Sequence, residues 1–260
     1  MIPFLRRRKE DPIFLDCYTC SHHAYNHAKV DYARRYIPEW WKAEKKFFAE
    51  RKTIKHCRGM LDYYSKGIVL PLWGEFKLTV HPLGHDGDVY SWVSSNEDFD
   101  VHTHDKAQWV GFGSDNLCNV KLISPWAFKT REAVSFLWSQ PTWSQPDTFN
   151  GLTALPGVVE YKTQTVTHIN CVVEQREESQ TFSLAPLTPM AILHPLTERK
   201  VELRHHLVSV DSYERIARRG GGMLLNTDEE DVMSPEGAGV PARKKAFWKK
   251  ADELNKCPFE

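Results

Sequence analysis

Between Ile68 and Val210 the chain breaks into about ten short apolar or alternating segments, each closed by turn chemistry within a few residues. "IVLPLW", "FKLTV", "VYSWVSS", "LCNVKLISPW", "AVSFLW", "GVVEYKTQ", "VTHINCVVE", "TFSLAP", "MAILHPL" and "VELRHHLVSV" succeed one another, with "HPLGHDGD", "NEDFD", "GSDN" and "SQPTWSQPDTFNG" between them. Close spacing of this kind favours a mainly β core, a jelly roll or related sandwich or barrel, over a βαβ fold.

The flanks read differently. "DPIFLDCYTC" alternates as a strand, and "HHAYNHAKVDYARRYIPEWWKAEKKFFAERK" reads as helical, with Pro38 placed to open a new helix. Trp40, Trp41, Phe47 and Phe48 recur at two-turn spacing and form one apolar face. "GMLDYYSKG" is a further short helix, stopped at Gly67. Residues 1–67 are therefore an N-terminal strand and helical layer on a β core of 68–210. Residues 211–260 begin with a helix, Asp211 and Glu214 standing in capping-box positions and Gly220 as terminator. A Gly-, Pro- and acid-rich linker comes next, then an amphipathic helix from Pro241. Its stripe of Phe247, Trp248, Ala251 and Leu254 among basic residues either docks on a partner or packs back on its own domain.

Lys plus Arg and Asp plus Glu both number 34, so the formal charge is zero. That argues against a generic nucleic-acid binder and permits self-association. Nine Trp raise the expectation of an interaction protein without choosing its partner. The six cysteines are scattered, no stretch approaches a membrane span, and the N-terminus lacks the apolar run of a signal peptide. A cytosolic protein with reduced thiols is expected.

The chemistry-bearing residues are few. "VHTHDKAQ" places His102, His104 and Gln108 on one face if it is extended, and imidazoles at i and i+2 can share a metal. "CYTC" has half of a zinc site, but only adjacent His56 and Cys57 offer the other half, so buried thiols are expected. There is no Gly-x-Ser-x-Gly elbow, and "RRGGGM" is not a phosphate loop. Glu97 and Asp98 fall in an expected turn and read as solvated. In "HINCVVE" the apolar face is Ile169, Cys171 and Val173, so His168 points away from the core. His205 shares its face with Val201, Leu203 and Leu207 and reads as a hydrogen-bonded core residue.

The spacing His-x-His-x-x-x-Gln resembles the first metal motif of the cupins, with Gln108 where that family has Glu. "PMAILHPLTE" is similar to their second motif, with Ala191 for Gly and Glu198 for Asn. The resemblance implies His194 as third ligand, an ion such as Fe, Mn, Ni or Zn, oxygenase or isomerase chemistry, and Trp109 or Trp126 shaping the pocket. "IPEWWK", "CRGMLDYYSKGIVLPLWGEF", "KLISPW" and "ALPGVVEY" resemble an uncharacterised family encoded by tailed phages of marine bacteria, over most of residues 13–210. That implies the cytoplasm of an infected host or the virion as the setting. "LPGVVEYKTQTVTHINCVVEQREESQTFSLAPLTPMAILHPL" looks like the dUTPase and dCTP-deaminase β fold, without its Ser-Arg-Ser nucleotide-binding segment.

The expectation is a binding or structural protein working by surface contact, with a protein partner or its own copies and no membrane. A cupin-like metalloenzyme stands second, and a nucleotide-handling enzyme third.

Overall fold

A computed structural model of the chain describes residues 11–82, 84, 88–104, 116–144 and 151–219. All lie in the first of two units, Met1–Gly220; the second is Gly221–Glu260. Gln108, Trp109, Phe247 and Trp248, and the expected linker and last helix, lie outside the described residues.

Along the described residues run β1 (Ile13–Thr19), α1 (His22–His27), β2 (Asp31–Tyr32), α2 (Glu39–Ala43), β3 (Phe47–Phe48), β4 (Arg51–Lys52), α3 (Arg58–Lys66), β5 (Ile68–Pro71), β6 (Phe76–Val80), β7 (Tyr90–Ser94) and β8 (Val101–His102). Then come β9 (Leu117–Leu122), β10 (Ala127–Lys129), β11 (Ser135–Ser139), β12 (Leu152–Ala154), β13 (Gly157–Glu160), β14 (Ile169–Glu174), β15 (Gln180–Leu184), β16 (Pro189–Pro195), β17 (Val201–Leu207) and α4 (Val210–Arg219). The protein is mainly β, as the run of short segments requires.

The described strands form five sheets, in the orders β10-β1-β17, β13-β11-β16-β5-β2, β12-β14-β9-β8, β15-β6-β7 and β3-β4. Alternation decides which face each strand buries. In β1, Ile13, Leu15 and Cys17 enter the core while the residues between them are half-buried. The same rule turns Ile169, Cys171 and Val173 of β14 inward. One large core draws on every sheet but the β3-β4 hairpin, with Trp73, Trp126, Phe128 and Tyr161 among its largest members.

β5 departs from alternation, as its neighbour β16 does from Met190 to Leu193: all four of its residues are buried. Ile68 and Leu70 face the large core, whereas Val69 faces a second, smaller one with Ile192, Ala33, Trp41, Met60 and Tyr64. A strand covered on both faces needs a continuous apolar run, and "IVLP" supplies it. The segment 33–66 is the cover. α3 ends against this sheet at Gly67, whose φ is not left-handed. Glycine is needed there for space, because an added Cβ would lie 2.6 Å from the Tyr63 carbonyl oxygen and 2.7 Å from Ile192 Cδ1.

Two local expectations are corrected. The helix expected to carry Trp40 through Phe48 on one face stops at Ala43, and the chain turns into the β3-β4 hairpin. Helical period is satisfied by those four rings, but only Trp41 reaches the second core, so tertiary packing overrides the local pattern. In α4 the first turn is closed not by Asp211 but by Ser209, whose hydroxyl accepts from the Ser212 N–H at 3.4 Å.

Candidate functional site

α2 puts one tryptophan in and one out. Trp41 is 8% exposed and packs against Tyr64, with ring centroids 5.9 Å apart. Trp40, next to it in the chain, is 45% exposed and meets Trp143, also 45% exposed, at 6.4 Å. The Trp40 indole N–H donates to the Trp143 carbonyl at 3.3 Å, which fixes the outward ring.

The hairpin continues this outward surface. Ala49 and Glu50 form its two-residue turn with φ of 44° and 66°, the positive values that match a tight turn to strand twist. Phe47 pairs with Lys52 and Phe48 with Arg51, so each face of the ribbon carries one ring beside one cation. Phe47 is 52% exposed and Phe48 74%. The hairpin is tied down at its base. Thr53 N–H donates to the Lys46 carbonyl at 3.1 Å, and the Thr53 hydroxyl donates to the Lys45 carbonyl. Lys55 Nζ donates to the Lys42 carbonyl at 3.1 Å, and the Phe47 ring rests 5.0 Å from that of His56.

Residues 42–58 hold seven Lys or Arg and two Glu, a local excess that the zero total hides. Lys42 is engaged by Glu39 at 2.5 Å and Arg58 loosely by Asp62 at 3.8 Å. Lys45, Lys46, Arg51 and Lys52 are exposed and form no ion pair among the described residues. The Trp40–Trp143 pair and a hairpin with one ring and one uncompensated cation on each face are outward groups able to hold an anionic or aromatic partner.

Of the residues expected to bind metal, Gln108 lies outside the described residues, and the three histidines have separate partners. His102, on β8, pairs its Nε2 with Asp100 at 2.8 Å. His104 lies just beyond, its N–H donating to Asn119 Oδ1 at 2.9 Å. His194 is on β16 in another sheet, with Nε2 3.1 Å from the Tyr63 carbonyl. Among the described residues no group of three or more His, Cys, Asp and Glu could hold a metal ion. Trp126 does not shape a pocket beside them. It is fully buried, donates to the Ala28 carbonyl at 3.3 Å and meets the His205 ring edge-on.

The imidazole that feels His102 and His104 is instead His168. Register sets Asn170, Lys121 and His102 abreast on the outward face of β14, β9 and β8, with His168 two residues before Asn170. Burial, then the Lys121 and His102 charges, pull His168 down to about 4, Asp100 opposing. Its Nδ1 and Asn170 Oδ1 are buried without hydrogen-bond partners among the described residues. An ammonium in the middle of this row disfavours a cation.

The other expected residues have structural work. Cys17 is in the core, where burial and Asp16 push its thiol far up, so the Cys17–Cys20 pair is not an activated dithiol. Asp98 is not merely solvated: it accepts from Ser21, which caps α1. His205 is half-buried, 2.7 Å from the Val30 carbonyl. A cavity of about 540 Å³ lies elsewhere, lined by His23, His27, Glu75, Asn96, Glu97 and Asp98, and Asn96 is committed to the Trp73 carbonyl at 2.7 Å.

No protein-family model matches the chain, and a search of curated proteins finds no match. No helix among the described residues is long and apolar enough to cross a membrane.

Proposed function

We propose that the chain is a phage-encoded binding or structural protein, virion-associated or in the infected host's cytoplasm, whose sheets pack as a sandwich or jelly roll. It works by surface contact, and the contact face is the ledge formed by α2, Trp143 and the β3-β4 hairpin. The observation that carries this reading is the outward placement of four aromatic rings that the two cores leave unused, Phe48 at 74% exposure above all. Large rings cost free energy in water and mark contact surfaces when they cluster. The phage setting rests on the resemblance of "IPEWWK" and its companion phrases, and "IPEWWK" itself forms part of the ledge.

The test uses untagged protein and the anionic aromatic dye bis-ANS. The expected result is saturable binding, with energy transfer from tryptophan, lost in the double variant Trp40→Ser, Phe48→Ser at unchanged melting temperature. Equal dye binding by the variant overturns the reading. The same preparation measures bound Fe, Mn, Ni and Zn. Near-stoichiometric metal that disappears in His102→Ala, His104→Ala would favour the cupin-like enzyme instead.

A further inference from the structure

The geometry points to single-stranded nucleic acid as the partner of the ledge; this rests on the reading of that surface as the contact face. Single strands are held by aromatic rings on which bases stack and by cations that follow the phosphates. The hairpin presents both in alternation. Phe47 stands beside Lys52 on one face of the ribbon, Phe48 beside Arg51 on the other, and Lys45 and Lys46 lead into it.

Three observations favour this partner. The first is the local charge. Zero net charge argues against a protein that coats nucleic acid with its whole surface, but counterion release depends only on the cations that meet phosphates. Seven basic residues against two acidic ones over 42–58 give such a patch, and four of those cations are uncompensated among the described residues. The second is the turn. Ala49 and Glu50 hold left-handed φ without being glycine, a strained choice that keeps Phe48 and Arg51 side by side at the tip. The third is Glu50 itself, which decides against an anionic membrane. A carboxylate at the apex, between Phe48 and Arg51, would have to enter the bilayer together with the ring. A base stacking on the side of the ribbon leaves the apex in water.

The test is fluorescence anisotropy of a labelled thymidine oligonucleotide with the full-length protein, repeated with its duplex, with poly-glutamate and with phosphatidylserine vesicles. The single strand is expected to bind most tightly. One face of the ribbon offers one strand cation and one of the two entering lysines, and two phosphate contacts predict a log–log salt slope of about −1.4, at about 0.7 per contact on single strands. Phe48→Ala weakens binding about tenfold, as loss of one stacked base does. Arg51→Glu with Lys52→Glu removes binding, and thermal melting shows that both variants remain folded. Absence of oligonucleotide binding at low salt overturns the inference, as does binding indifferent to Phe48→Ala. Tighter binding to poly-glutamate or to vesicles overturns it too and reassigns the ledge. Loss of oligonucleotide binding with bis-ANS binding intact removes only the nucleic-acid partner; loss of both removes the contact surface itself.

Discussion

His168 gives the chain a specific acid weakness. In the unfolded chain its imidazole takes a proton near the ordinary value of 6.5, whereas in the folded chain burial and the Lys121 charge hold it at about 4. The unfolded state therefore binds more protons as the pH falls between these values, and stability falls with it. The contribution is fully present above about pH 6.5 and is lost as the pH drops toward about 4. The gap corresponds to about 3 kcal/mol in full, most of it gone by about pH 4.5. A net stability of about 5–15 kcal/mol makes that a large fraction. The perturbation is His168→Gln, which cannot titrate. Urea unfolding of both proteins at neutral pH and at about pH 4.5 isolates the effect, because His194 and His205, also lowered by burial, are common to both. The wild type should lose about 2–3 kcal/mol more than the variant over that interval. Equal losses would refute the placement of His168 against Lys121 behind a shielding surface.

Other perturbations separate the two cores from the ledge. Trp41→Ala should cost about 3–5 kcal/mol in chemical denaturation, since it empties the second core, whereas Trp40→Ala should cost about 1 kcal/mol or less. Gly67→Ala should destabilise by about 1–3 kcal/mol, because the new methyl meets the Tyr63 carbonyl and Ile192; an unchanged melting temperature would contradict that close approach. Glu50→Gly should stabilise by about 0.5–1 kcal/mol by relieving the left-handed φ, and a destabilised variant would argue against the turn.

Much of the β architecture is legible because alternation is a local property. "IFLDCYT" and "INCVVE" show by period which residues enter the core, and both strands bury those residues. The doubly buried β5 is legible as a continuous apolar run, but its second cover is not, since helix and strand periods both fit "EWWKAEKKFF". Helical spacing assigns Phe47 and Phe48 to a helix; the fold places them in a hairpin because only Trp41 finds a core. A signal is present in the rings bracketed by "KK" and "RK" around a two-residue gap. The histidines show the opposite limit. His102 and His104 are close in sequence and stay close, but the neighbour that matters electrostatically, His168, is set by strand pairing across the sheet. His194, joined to them by motif spacing, sits on another sheet.

The most direct measurement is fluorine NMR of 5-fluorotryptophan-labelled protein titrated with the thymidine oligonucleotide. Trp40 and Trp143, assigned by single Trp→Phe variants, should shift and saturate together, while buried Trp73, Trp126 and Trp138 stay in place. Shifts confined to the buried rings, or a titration that leaves Trp40 and Trp143 unmoved, would contradict the claim that the outward aromatic surface holds a single strand; the same rings unmoved by bis-ANS as well would contradict the contact surface itself.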